Sequence, residues 1–225
     1  MLINYKNLYI IGTSHIANKS LEEVEVFIER EKPEIVALEL DKGRLHGLLS
    51  GEKGNKVSIS KYGIKRYLFA KIGHYAEHKL GGKTGVKPGD EMKLAYELAQ
   101  KNNSKIALID QDIQITLKKL KITWKEKWNF FVDIVKGVYN YVLGKPPEIS
   151  FDLRGVPSEM LIEKMISHVR DRYPNLYIVL IEERNQYMAK KLFALMRTYP
   201  EAKILAVVGA GHGKEMLWII KTLDG

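Results

Sequence analysis

The sequence has no cysteine. That excludes disulfides and thiolate ligands, so any metal ion must be held by histidine and carboxylate side chains. No apolar run approaches the roughly 18 residues that a membrane-crossing helix requires. The N-terminus runs straight into a strand pattern with no basic leader, apolar core or small-residue cleavage site, and the cytoplasm is the default compartment. Zinc-finger spacing and RNP-like aromatic motifs are absent too. Although the formal net charge is +9, the lysines are dispersed and interleaved with glutamates, which argues against nucleic acid as a partner.

What is present fits a folded α/β domain. The chain has 225 residues, 45% of them hydrophobic, enough for a single domain with a real core. Ile204-Leu-Ala-Val-Val208 is a β-branched apolar run of strand length that stops at Gly209-Ala-Gly-His212. Leu8-Tyr-Ile-Ile11 stops in the same manner at Gly12-Thr-Ser-His15. Glycine at a strand end allows a sharp turn and leaves space beside the backbone, here next to an imidazole. Two more apolar runs end in charge: Ile35–Leu38 leads into Glu39-Leu40-Asp41, with Arg44 just beyond, and Ile106–Ile109 leads into Asp110-Gln111-Asp112. Ligands of open α/β sheets bind beyond the carboxyl ends of the strands. If the four runs are parallel neighbours, His15, Glu39, Asp41, Asp110, Asp112 and His212 share one rim. Taken singly, each carboxylate also suits a helix cap or a solvated turn.

Between the strands, helical spacing predicts a helix from Asn18 or Ser20 to about Lys32, with Ser20 and Glu23 as a capping box and Leu21, Val24, Phe27 and Ile28 inward. A helix is expected from about Ser60 to Leu80. Within it, His74-Tyr-Ala-Glu-His78 matches an inverted zinc-peptidase pattern, but lysines flank it as on a solvated face. Asp90 suits the N-cap of a further helix. Thr116 to about Leu143 reads as helical in two pieces. Its stripe of Trp124, Trp128, Phe131, Ile134, Val135, Val138 and Val142, with Tyr139 and Tyr141 alongside, is expected to pack on its own domain, with docking on a membrane or partner as the other reading. Residues of roughly 116–150 form a helical insertion within a single domain spanning 1–225. Leu176 onward is expected to be one long helix, with Leu176, Val179, Leu180, Glu183 and Tyr187 on one face. The whole is an α/β fold: a mainly parallel, mixed sheet flanked by helices.

Six ordered blocks resemble one known family. They are Gly12-Thr-Ser-His15, Glu39-Leu-Asp41 with Arg44, Pro88-Gly-Asp-Glu-Met92, Leu108-Ile-Asp-Gln-Asp-Ile113, Glu183-Arg-Asn-Gln-Tyr-Met-Ala189 and Val207-Val-Gly-Ala-Gly-His212. They look like the TraB/PrgY (pheromone shutdown) family, itself related to the TIKI metal-dependent peptidases and, more distantly, to erythromycin-esterase-like proteins. The resemblance implies that Gly12, His15, Glu39, Gly209, His212 and the Glu183-Arg184 pair form the site. Many relatives carry C-terminal membrane helices, and this chain ends before any. His74 and His78 belong to none of the blocks.

These residues point to a hydrolase of peptide or other amide or ester bonds, dependent on Mn, Co or Zn. His15, His212 and Glu39 are the expected ligands, with Glu39 alternatively the general base. Arg184 or Arg44 would steady an oxyanion, with Glu183 beside them. Gly12, Gly209, Asp41, Asp110 and Asp112 shape the rim. The alternative is a peptide-binding or sequestering module that keeps the cleft without turnover. Expected partners are a peptide or small-molecule substrate, with non-spanning membrane contact and homo-oligomerisation left open. A nucleotide site is disfavoured, because Gly209-Ala-Gly-His-Gly213 misplaces the third glycine of the dinucleotide pattern.

Overall fold

The computed structural model describes residues 2–13, 18–50, 89–143 and 159–225. His15, the 60–80 helix, His74 and His78 lie outside the described residues. The elements in chain order are β1 (Leu2–Tyr5), β2 (Leu8–Thr13), α1 (Asn18–Glu31), β3 (Ile35–Leu38), α2 (Lys42–Ser50), α3 (Asp90–Lys101), β4 (Lys105–Leu108), α4 (Ile113–Lys119), α5 (Trp124–Val142), α6 (Glu159–Arg172), α7 (Pro174–Tyr177), a π-helical segment (Ile178–Glu182), α8 (Glu183–Thr198), β5 (Ile204–Gly209) and α9 (Gly213–Asp224).

The strands form one five-stranded sheet in the order β1-β2-β5-β3-β4. The β1–β2 hairpin is antiparallel and every other pairing is parallel. The last strand therefore lies in the middle, between β2 and β3, with Thr13 opposite Gly209 and Leu38 opposite Val207. The α/β class and the parallel neighbourhood of the four runs are as the sequence predicts. The crossover from β2 through α1 to β3 does not join adjacent strands, however. It spans the slot that β5 fills.

Strand alternation divides the core into two layers. Ile204, Ala206 and Val208 face Met188, Leu192, Met216 and Ile220 on one side of the sheet. Leu205 and Val207 face Val24, Phe27, Ile28, Met92 and Ala95 on the other. β5 is buried along its whole length, and this is why its sequence is an unbroken apolar run rather than an alternating one.

Several local expectations shift by a few residues. Helix α1 begins at Asn18, and Ser20 is buried within its first turn. The cap position of α3 is Gly89, at φ 97, which only glycine adopts without strain. Asp90 is the first helical residue, and buried Glu91 turns back to accept from the Gly89 N–H. The long helix from Pro174 to Thr198 forms, but its predicted face does not hold. The π turn inserts a residue and rotates everything after it by about 100°. Glu183 and Tyr187 consequently leave the buried face, which Asn185, Met188, Ala189 and Leu192 take over.

Candidate active site

The carboxyl ends of β2, β5, β3 and β4 lie side by side, and the residues just beyond them build the site. The end of β2 is tied to β5 by the Thr13 hydroxyl, which donates to Val208 O at 3.2 Å, and by Ala210 N–H, which donates to Thr13 O at 2.9 Å. His15 follows Thr13 by two residues and lies outside the described residues.

Glu39 leaves the end of β3 next to β5. Its Oε2 accepts from Gly209 N–H at 2.7 Å and its Oε1 accepts from Arg184 Nη2. Asp110, beyond β4, takes Arg184 in two-pronged fashion, Nε to Oδ1 at 3.0 Å and Nη2 to Oδ2 at 2.7 Å. Arg44 Nη1 reaches the same Oδ2 at 2.6 Å. Arg184 Nη1 also donates to Leu180 O, a carbonyl of the π segment, at 3.1 Å.

Burial makes these contacts count. The Arg184 side chain is 15% exposed, Glu39 6% and Asp110 1%. Desolvation opposes the charged guanidinium, but the hydrogen bonds and charges of Asp110 and Glu39 outweigh it, so the Arg184 pKa is raised above its ordinary value. Arg184 is thus the fixed cation that holds the ends of β3 and β4 at one spacing.

His212 stands where α9 begins. Its Nδ1 meets Asn185 Oδ1 at 2.5 Å, and Asn185 Nδ2 donates to Glu215 Oε2 at 2.8 Å. Because the carboxylate only accepts, the amide must present its oxygen to the imidazole. Nδ1 is then the protonated nitrogen, and Nε2 faces Glu39 Oε1 at 3.4 Å. The Asn185 contact fixes the tautomer and the plane of the ring.

Other predicted residues are placed differently. Asp41 Oδ1 caps α2 by accepting from Gly43 and Arg44 N–H at 2.8 and 3.0 Å. Its Oδ2 is buried and without a hydrogen-bond partner among the described residues. Asp112 Oδ1 caps α4 through Gln114 N–H at 2.7 Å, the ordinary role of a strand-end carboxylate. Glu183 pairs with Lys119 at 2.8 Å on the partly exposed flank. Gly12 is buried near the end of β2. Asn185 and Glu215 were not singled out from the sequence. The available signal was the polar Asn185 two residues after Glu183, in a helix otherwise apolar on its inner side.

Among the described residues, no three histidine or acidic side chains gather around one point as a metal site. His212 and Glu39 do converge as a pair of acceptors, and that donor set suits Mn, Co or Zn.

Residues 4–215 match the model of the TraB/PrgY/gumN family. The chain belongs to that family. An uncharacterised protein of Methanocaldococcus jannaschii is 36% identical over 229 residues, which cover 99% of this chain and 55% of that protein. The mouse and human TraB domain-containing proteins are each 24% identical over 243 residues, covering 94% of the chain and 62% of theirs. This TraB-family chain thus spans between half and two thirds of the length of these relatives. No helix among its described residues is long and apolar enough to cross a membrane.

Proposed function

We propose that this chain hydrolyses an amide or ester bond with the help of a divalent ion, Mn, Co or Zn, for which His212 and Glu39 supply two ligands and His15 a third. The observation that carries the reading is the relay Glu215–Asn185–His212. Two side chains are spent on directing one imidazole nitrogen at a carboxylate oxygen 3.4 Å away, and a histidine needed only for packing would not require that orientation. When bound, such an ion supplies Lewis acidity toward a substrate carbonyl.

The chain's own groups divide the remaining work. Glu39 has both oxygens engaged, one by Gly209 N–H and one by Arg184. With each oxygen already held in place by a donor, the carboxylate is positioned as a ligand rather than as a general base. Arg184 donates four hydrogen bonds to protein acceptors, so it positions rather than meets substrate. Arg44 gives one side-chain hydrogen bond to Asp110, and its side chain is 40% exposed. It is the guanidinium with donors left to meet a developing oxyanion. A peptide or small carbonyl compound is the substrate class.

The test is calorimetric titration of the chain with Mn, Co and Zn, beside His15→Ala, His212→Ala and the double variant, followed by a screen of peptides and esters with and without chelator. Chelator-sensitive turnover and loss of ion binding in both single variants are expected. Ion binding no stronger than in the double variant would remove the proposal. Peptide binding without turnover, insensitive to chelator, would favour a sequestering module instead.

A further inference from the structure

Helix α5 is mounted with its polar side inward. Glu126 is buried and accepts from Asn175 and Leu176 N–H at 2.8 and 3.3 Å, capping α7. Asn129 Nδ2 donates to Arg172 O at 2.9 Å, and Asp133 accepts from Arg172 Nε at 2.6 Å and from the Tyr173 hydroxyl. These contacts pin the polar face of α5 to the end of α6 and the start of α7. The opposite arc faces outward: Trp124 is 85% exposed and Trp128 67%, with Phe131, Ile134, Val135 and Tyr139 also exposed. An amphipathic helix that only served its own core would be turned the other way. The expectation that this stripe packs on its own domain does not hold for those residues, because ion pairs and caps, rather than apolar burial, fix the helix.

The charges that this segment leaves exposed are lysines. From Ile113 to Leu143 the sequence holds six lysines (118, 119, 121, 125, 127 and 136) and two acids, Glu126 and Asp133. Both acids are consumed in the inward contacts above. Lys119 is paired with Glu183, and the other five lysines are exposed. Lys127 Nζ lies 4.7 Å from the centre of the Trp124 ring, so cation and aromatic ring share the outer surface.

We propose that the outward face of α5 docks on an anionic lipid bilayer, the helix lying in the plane of the interface. Exposed Trp, Phe and Tyr beside lysine match the graded region between headgroup and acyl chain. The 19 residues of α5, about 28 Å long at 1.5 Å per residue, would lie along that surface. A second copy of the chain fits less well. A two-fold interface pairs a patch with itself, and would set these lysines against their own copies.

Trp218→Phe leaves Trp124 and Trp128 as the only tryptophans of the original three. With vesicles of phosphatidylcholine containing about 30% phosphatidylserine in about 50 mM salt, their emission is expected to shift to the blue and to be quenched by brominated acyl chains. Pure phosphatidylcholine should give no such shift. In that background, Lys125→Glu with Lys127→Glu, both exposed, should weaken binding at least about 25-fold, taking about fivefold per lysine lost. Circular dichroism verifies the fold of each variant. Absence of vesicle binding at low salt overturns the proposal, as does binding indifferent to the charge reversal. A concentration-dependent dimer lost in Trp128→Ser, or a stoichiometric complex with an acidic peptide that excludes vesicles, would overturn it in favour of a protein partner.

Discussion

Replacing Arg184 by methionine probes the joint between the ends of β3 and β4. The substitution keeps most of the apolar stem and removes the cation, together with three hydrogen bonds to the buried carboxylates and one to Leu180 O. Removing one partner of a buried ion pair typically costs about 3–5 kcal/mol, because the remaining charge is left without compensation. Asp110 keeps Arg44 at 2.6 Å, and Glu39 keeps the Gly209 N–H at 2.7 Å. The cost should fall near the lower end, about 3 kcal/mol. For a chain of this size that corresponds to a fall of about 6–12 °C in the unfolding midpoint, readable by urea and thermal denaturation.

The pH dependence supplies an independent check. The Arg184 pKa is raised, so its stabilisation is present throughout the range below the ordinary arginine value and is lost only above it. The wild-type pair therefore contributes no arginine titration near neutrality. In Arg184→Met the deficit should therefore be steady across the neutral range, because what has been lost titrates only in strong alkali. A deficit under about 1 kcal/mol, or one that vanishes near neutral pH, would mean that the cluster does not set the strand spacing.

Glu126→Gln should cost about 2–3 kcal/mol in denaturant unfolding, since an amide nitrogen would be forced against donors that now meet a carboxylate. Burial raises the Glu126 pKa, but the hydrogen bonds from Thr123 and Asn175 outweigh it and hold it below 4.5. Its contribution is therefore present above that value and lost as pH falls through the depressed one, so wild type and variant should converge in acid. Asn185→Leu should leave the fold largely intact yet weaken Mn, Co or Zn binding about 10–100-fold by calorimetry, because the imidazole loses its orienting partner; unchanged affinity would separate His212 from any metal role. Asp112→Ala should cost about 1 kcal/mol through loss of the α4 cap and leave ion binding unaltered. Gly89→Ala should destabilise by about 1–2 kcal/mol, because the backbone sits at φ 97 and the new Cβ would lie 3.1 Å from Leu48 Cδ1.

The parts of this molecule that were legible in the sequence are those set by local period. Four apolar runs with charged or glycine ends gave the strands of the parallel sheet and the rim, because a strand buried on both faces must be apolar throughout. The order of those strands was not legible. Nothing in Ile204–Val208 says that it inserts between β2 and β3, since that follows from which helices cover which face. Neighbouring charges were likewise indistinguishable. Asp110 and Asp112 both follow β4, yet one receives two arginines and the other caps a helix. Glu183 and Arg184 are adjacent, and the π turn decides which of them points at the sheet. One signal was present and not read: Thr123-Trp-Lys-Glu126 has capping-box spacing, and Thr123 and Glu126 do bond reciprocally at the start of α5.

That cap links the two unusual features of the chain. Glu126 serves two helix starts at once, α5 through Thr123 and α7 through Asn175 and Leu176. The helix that starts with α7 continues through the π segment into Arg184 and Asn185, the residues that hold Glu39, Asp110 and His212. A rotation of α5 that turned its aromatic arc inward would pull Glu126 and Asp133 off α7 and off Arg172, leaving helix donors and a guanidinium uncompensated. The outward stripe is thus the consequence of anchoring the site helix from its N-terminal end. The same polar contacts that hold Arg184 and Asn185 in register commit Trp124 and Trp128 to the outside.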